Sequence, residues 1–164
     1  MSSDILQDIT DSIEDITELL ESYENLFITI EQKHPDNIEL AAIATILHSF
    51  YNGIEGIFLY IVKRIDRTVL NGLSWHQSLL LQMTEETDNR TPVISVHTAD
   101  LLVPYLKFRH FFRHSYAFML DWQRMKPLVD ELHSIWATVK NEVESFIYTF
   151  STEWTGDHTG SPLQ

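Results

Sequence analysis

Residues 41–65, AAIATILHSFYNGIEGIFLYIVKRI, are apolar on most sides of a helix. Such a helix cannot lie on a surface. It must be buried between neighbours, so the rest of the chain has to supply helices that cover it. The pattern predicts a helix from about Asn37 to Val69, with Asn37 as N-cap after the break Lys33-His34-Pro35-Asp36. Gly53 and Gly56 are costly inside a helix and predict the close approach of another one.

The flanking segments have the required periodicity. Ile5, Ile9, Ile13, Ile16, Leu20, Tyr23, Phe27 and Ile30 recur at steps of three and four, which predicts one amphipathic helix over about 4–32. Asn71-Gly72 marks a turn. Ser74 and Gln77 fit a capping box for a short helix reaching about Met83. Residues 84–96 read as loop. Thr98 or Asp100 is expected to start a third long helix that ends near Trp122, with Pro104 in its first turn or kinking it. Pro127 suits the first turn of a fourth, over about 127–151. The expected fold is all-α, an up-down bundle of four to five helices. Residues 1–152 are expected to form the domain and 153–164 a disordered tail.

Charge and composition narrow the functions. Residues 1–40 hold eleven acids and one Lys, so most of the net charge of −13 lies there. That balance argues against nonspecific nucleic-acid binding but leaves room for a small basic pocket in an acidic body. The acidic first helix reads as a solvated face, or as a docking surface for a basic partner. With no cysteine, disulfides, thiolate zinc sites and cysteine nucleophiles are excluded. The absence of cysteine, of a signal-like start and of a spanning apolar run fits a cytoplasmic protein without a membrane partner.

The third helix carries FRHFFRHSYAF, from Phe108 to Phe118. On a regular helix Arg109, Arg113 and Tyr116 form one stripe, and His110 and His114 a neighbouring one. Arg109 and His114 are five residues apart, about 140° around the helix. They converge if the arginine wraps, if Pro104 distorts the helix, or if a second protomer completes the site. Arg holds a phosphate bidentately and stabilises developing charge, His moves a proton near neutral pH, and RNA brings its own 2′-hydroxyl nucleophile. The bland alternative is that these residues are solvated or pair with the chain's many carboxylates. His110 and His114 are also spaced as a metal pair, but no third ligand of defined spacing accompanies them, and no metal or cofactor is expected.

Other polar residues carry two readings each. Glu55, one turn from Tyr51 in the apolar second helix, needs a partner: a structural hydrogen bond or ion pair, or a role orienting Arg109 or His114. His76 is a cap or surface residue, or it faces the same pocket. His48 reads as packed.

Arg109-His-Phe-Phe-Arg-His114-Ser-Tyr116 resembles the R-x-x-x-x-H-x-Y motif of HEPN-superfamily toxins of the HepT type. FYNGIEGIFLYIVKRID (50–66) resembles their second helix and WHQSLLLQM (75–83) the segment after it, so the resemblance covers most of residues 5–150. It implies a dimeric HEPN-like bundle with active sites at the dimer interface. The implied activity is that of a metal-independent endoribonuclease toxin. The implied antitoxin is an MntA-like nucleotidyltransferase that uses ATP to attach AMP to the motif tyrosine. Carried over, Arg109 is the phosphate clamp, His114 the proton-transfer residue and Tyr116 the AMPylation site. Arg113 is an extra cation able to hold a second phosphate; Glu55, Tyr51 and His76 join it as supporting or RNA-binding candidates on the reading of the residues themselves. His110 stands where the family often has another polar residue, commonly Asn, which leaves open whether it shares the proton work. The alternatives are a catalytically inactive HEPN-like bundle that binds a protein or nucleotide, and a plain helical adaptor.

Overall fold

The computed structural model describes residues 2–157, with side chains for 4–152. Six α-helices form an all-α bundle: α1 (Ser2–Ser22), α2 (Glu24–Gln32), α3 (Asn37–Ile61), α4 (Trp75–Gln82), α5 (Val96–His114) and α6 (Trp122–Asp157). A π-helical turn (Val62–Asp66) follows α3 and a 3-10 turn (Ala117–Met119) precedes α6. Among the described residues there is no strand, only one isolated bridge between Thr87 and Arg90. No helix among them is long and apolar enough to cross a membrane.

The apolar run makes α3 the centre, packed against α1, α4, α5 and α6. Phe50 meets Tyr105 of α5 and Trp136 of α6 edge-on, at centroid distances of 5.4 and 6.1 Å. Polar atoms carried into this core by aromatic rings find partners, as burial requires. Trp136 Nε1 donates to Thr17 Oγ1 at 3.2 Å, and Tyr105 Oη donates to the Leu128 carbonyl at 2.6 Å.

Several boundaries differ from the sequence expectation, each for a local reason. The first helix is two helices. At Tyr23 (φ −112°, ψ 15°) the ladder tightens and the ring turns out, 43% exposed, while Phe27 and Ile30 stay buried. Phe27 then packs edge-on against His133 of α6 at 4.9 Å. The N-cap of α3 is Asp36 rather than Asn37, because Asp36 and Glu39 form a reciprocal capping box. Ser74 precedes α4, but its hydroxyl makes no cap. Ser95, not Thr98 or Asp100, caps α5 by accepting from Thr98 N. Pro104 and Pro127 therefore lie inside helices rather than in first turns. Asp121 opens α6, its carboxylate accepting from Gln123 N. The third long helix ends at His114 rather than near Trp122, since Ser115 and Tyr116 are extended. The 3-10 turn that follows buries none of its residues, so continuing the helix would have gained no core there. α6 runs to Asp157, and residues 158–164 of the expected tail lie outside the described residues.

A buried ion pair fixes the 84–95 loop. The Arg90 side chain is fully buried and donates to both Asp66 oxygens at 2.8 Å and to the carbonyls of Gln82, Glu85 and Thr91. All five of its N–H donors are thereby used. The second helix was expected to continue to Val69. Instead, the π turn ends at a left-handed Arg67 (φ 53°) and delivers Asp66 to this pair.

The two α3 glycines are not equivalent. A Cβ on Gly53 would lie 2.6 Å from Ile16 Cγ1, so here α1 does approach closely. A Cβ on Gly56 would meet nothing within 4 Å, and the close-approach expectation fails there. Gly56→Ala should therefore raise folding stability by about 1 kcal/mol through helix propensity. Gly53→Ala should lower it despite the same propensity gain, because Ile16 must shift. Denaturant unfolding of both variants checks this; a stabilised Gly53→Ala would contradict the contact.

Candidate active site

Three polar residues of α3 share one stripe. His48, Asn52 and Glu55 are at i, i+4 and i+7 and face α4 and α5. Glu55 is 4% exposed, so its charge must be met by partners. It is met twice. Oε2 lies 2.6 Å from His76 Nδ1 of α4, and Oε1 lies 3.2 Å from Arg109 Nη2 of α5. The structure thus brings Glu55, His76 and Arg109 together. His76 is neither a cap nor a bare surface residue; its ring is also stacked on Trp75 at 3.5 Å.

Arg109 is held from three directions. Besides Glu55, its Nε donates to Asn52 Oδ1 at 2.6 Å, and its Nη1 lies 3.5 Å from His76 Nε2. A guanidinium has five N–H donors. Three are directed at protein partners, and one N–H on each terminal nitrogen is left. Two such donors suit two oxygens of one phosphate. Arg90, with all five used, has nothing to offer a ligand.

The hydrogen-bond directions extend to His48. Arginine only donates, so Asn52 must turn Oδ1 toward Arg109 and its amide nitrogen toward His48 Nε2, 2.9 Å away. Nε2 is then the acceptor and the ring hydrogen sits on Nδ1, which is buried without a partner. The ring packs on Phe112 at 4.7 Å. Burial first, then the charges of Arg109 and Arg113, holds the His48 pKa below 6.5. His48 is packed, as expected, but it also ends the polar chain. Asn52 was missed from sequence, although a polar i, i+4, i+7 stripe on an apolar helix was there to read.

The remaining motif residues lie elsewhere. His110, Arg113 and His114 are exposed on the last turns of α5, and the rings of His110 and His114 are 4.9 Å apart. His114 is not among the side-chain partners of Arg109. Among the described residues, no cluster of three or more His, Asp or Glu is arranged to hold a metal. Tyr116 is off the helical stripe, past the end of α5, and 69% exposed. Tyr51 is 1% exposed in the core, where burial and then the Glu55 charge push its phenol pKa far up. It packs behind Glu55 and presents no surface to RNA.

A family model described as HepT-like protein matches residues 42–150. The chain belongs to the HepT-like family. The match spans α3 through most of α6, including every residue of the polar network, and leaves the acidic α1 outside. It agrees with the resemblance carried by the 50–66, 75–83 and 109–116 segments. Comparison with curated proteins and with solved structures gives no match.

The depressed His48 pKa has a signed consequence in this HepT-like chain. The unfolded chain takes up this proton first as the pH falls, so the stability tied to neutral His48 is present above about pH 6.5 and is lost below it. An NMR titration should place the His48 midpoint below 6.5 and move it up in Arg113→Ala. A midpoint at or above 6.5 in the wild type would contradict the buried, cation-flanked setting.

Proposed function

We propose that this HepT-like chain is a metal-independent endoribonuclease toxin, neutralised by a nucleotidyltransferase antitoxin that AMPylates Tyr116. The observation that carries the reading is the state of Arg109. It is locked in one orientation by Glu55, Asn52 and His76, yet keeps two N–H donors free for a phosphate. A preoriented donor pair stabilises charge that grows on a phosphate without having to reorganise.

In this mechanism Arg109 holds the scissile phosphate. His114 accepts the 2′-hydroxyl proton as O2′ attacks phosphorus, and the P–O5′ bond breaks. Protonated His110, 4.9 Å away ring to ring, gives a proton to the departing O5′. The products are a 2′,3′-cyclic phosphate and a 5′-hydroxyl. The substrate's own hydroxyl is the nucleophile, so no metal-bound water is required.

Arg109 and His114 diverge by about 140° on one helix. The proposal therefore includes a homodimer in which Arg109 of one copy works with His114 of the other. AMPylation fits the exposure of Tyr116. Its phenol oxygen attacks the α-phosphorus of ATP, pyrophosphate leaves and the phenol proton is lost. The new phosphate adds negative charge three residues past Arg113 in sequence and competes with RNA for the local cations. The expected setting is the cytoplasm, where RNA and ATP are both present.

The second reading is a silent binding bundle. It is favoured by the 11% exposure of the Arg109 side chain, which leaves little surface for substrate.

Mixing inactive variants decides the site architecture. A 1:1 mixture of Arg109→Ala and His114→Ala, refolded together, should regain about a quarter of wild-type RNA cleavage, because half the dimers then hold one intact composite site. No regain would place both groups in one copy. Incubation with antitoxin and ATP should add one adenylate mass to wild type and none to Tyr116→Phe; equal gain by both would remove Tyr116 from the account.

A further inference from the structure

We propose that the aromatic surface just past α5, centred on Phe118 and Tyr116, is a stacking platform for unpaired bases, which makes single-stranded RNA the substrate class. The proposal rests on the ribonuclease reading and deepens it. Phe118 is 82% exposed and Tyr116 69%, and their rings lie parallel within 5° at a centroid distance of 5.6 Å. The 3-10 turn that holds Phe118 buries none of its residues, so these rings contribute nothing to the core of one copy. Large rings presented to water on a short turn that follows His114 in sequence call for an occupant.

Charge selects that occupant. Residues 104–126 hold five Lys and Arg against one Asp in a chain of −13; Arg109 is paired with Glu55 and Lys126 with Asp130, which leaves Lys107, Arg113 and Arg124 against Asp121. Exposed Arg113 and His114 immediately precede the platform. Phe108, Phe111 and Met119 line a groove of about 280 Å³ whose charged lining residues are Lys107, Arg124 and Asp121. Exposed aromatic faces set among cations, on an otherwise acidic body, match a strand that offers π-faces and phosphates together. A duplex keeps its base faces stacked inside and cannot use the platform.

The test is binding of a short, fully 2′-O-methylated single strand, which lacks the nucleophile and cannot be cut, followed by fluorescence anisotropy. Phe118→Ala should bind about 5- to 150-fold more weakly than wild type, the range for loss of one base–aromatic stack. Phe118→Trp should bind as wild type does, and Phe118→Leu as the alanine variant does. The salt dependence should stay unchanged, because no phosphate contact is removed. At this exposure the substitutions leave the core intact. Equal binding by wild type and Phe118→Ala, or equal binding of duplex and single strand, would overturn the platform. So would a dimer weakened by Phe118→Ala with RNA affinity unchanged, which would assign the surface to a second copy. Wild-type cleavage of RNA undiminished in Phe118→Ala would sink the platform alone. A wild type that neither binds nor cleaves RNA would end the ribonuclease reading and the platform with it.

Discussion

The Glu55 carboxylate is the interaction on which the candidate site depends. It is buried in the most apolar helix of the chain and is tolerated only because α4 and α5 each bring it a partner. A lone buried charge costs several kcal/mol, and removing one partner of such a pair typically costs about 3–5 kcal/mol. The same bonds that satisfy Glu55 fix the position of His76 and the orientation of Arg109, so the electrostatic requirement of the core and the preorganisation of the site coincide. Asn52 and His48 continue the chain along α3, and the donor-only character of arginine dictates the direction of every bond in it.

Two ion-paired arginines make the contrast between structure and function concrete. Arg90 spends all five donors on Asp66 and three carbonyls, with nothing exposed, and ties a loop to the bundle. Arg109 directs three donors at protein partners and keeps a small exposed edge. Counting donors separates a fastening from a candidate ligand where burial and ion pairing alone do not.

Much of this was legible in the sequence, and the exceptions have physical causes. The apolar run of α3 announced a central helix, and the periodic segments around it announced its cover. What periodicity cannot show is where tertiary packing stops rewarding a helix. The apolar pattern continues through Ala117, Phe118 and Met119, yet those residues bury nothing and the chain leaves the helix at Ser115. Tyr23 fits the first-helix stripe, but a one-residue break turns it outward. The Arg109–His114 spacing was visible, while the partners of Arg109 were not: Asn52 and His76 come from separate elements, and only the folded bundle joins them. The acidity of the chain was also legible, and the structure gives it a place, since α1 is acidic and the cationic stretch lies at the far end of α5 in sequence.

The central claim is metal-independent RNA cleavage by this helical site, and its products test it most directly. Purified wild-type protein should cut single-stranded RNA in excess chelator and leave 2′,3′-cyclic phosphate and 5′-hydroxyl ends. RNA left intact by folded, unmodified protein, or cleavage that needs an added divalent ion and leaves 5′-phosphates, would contradict the account.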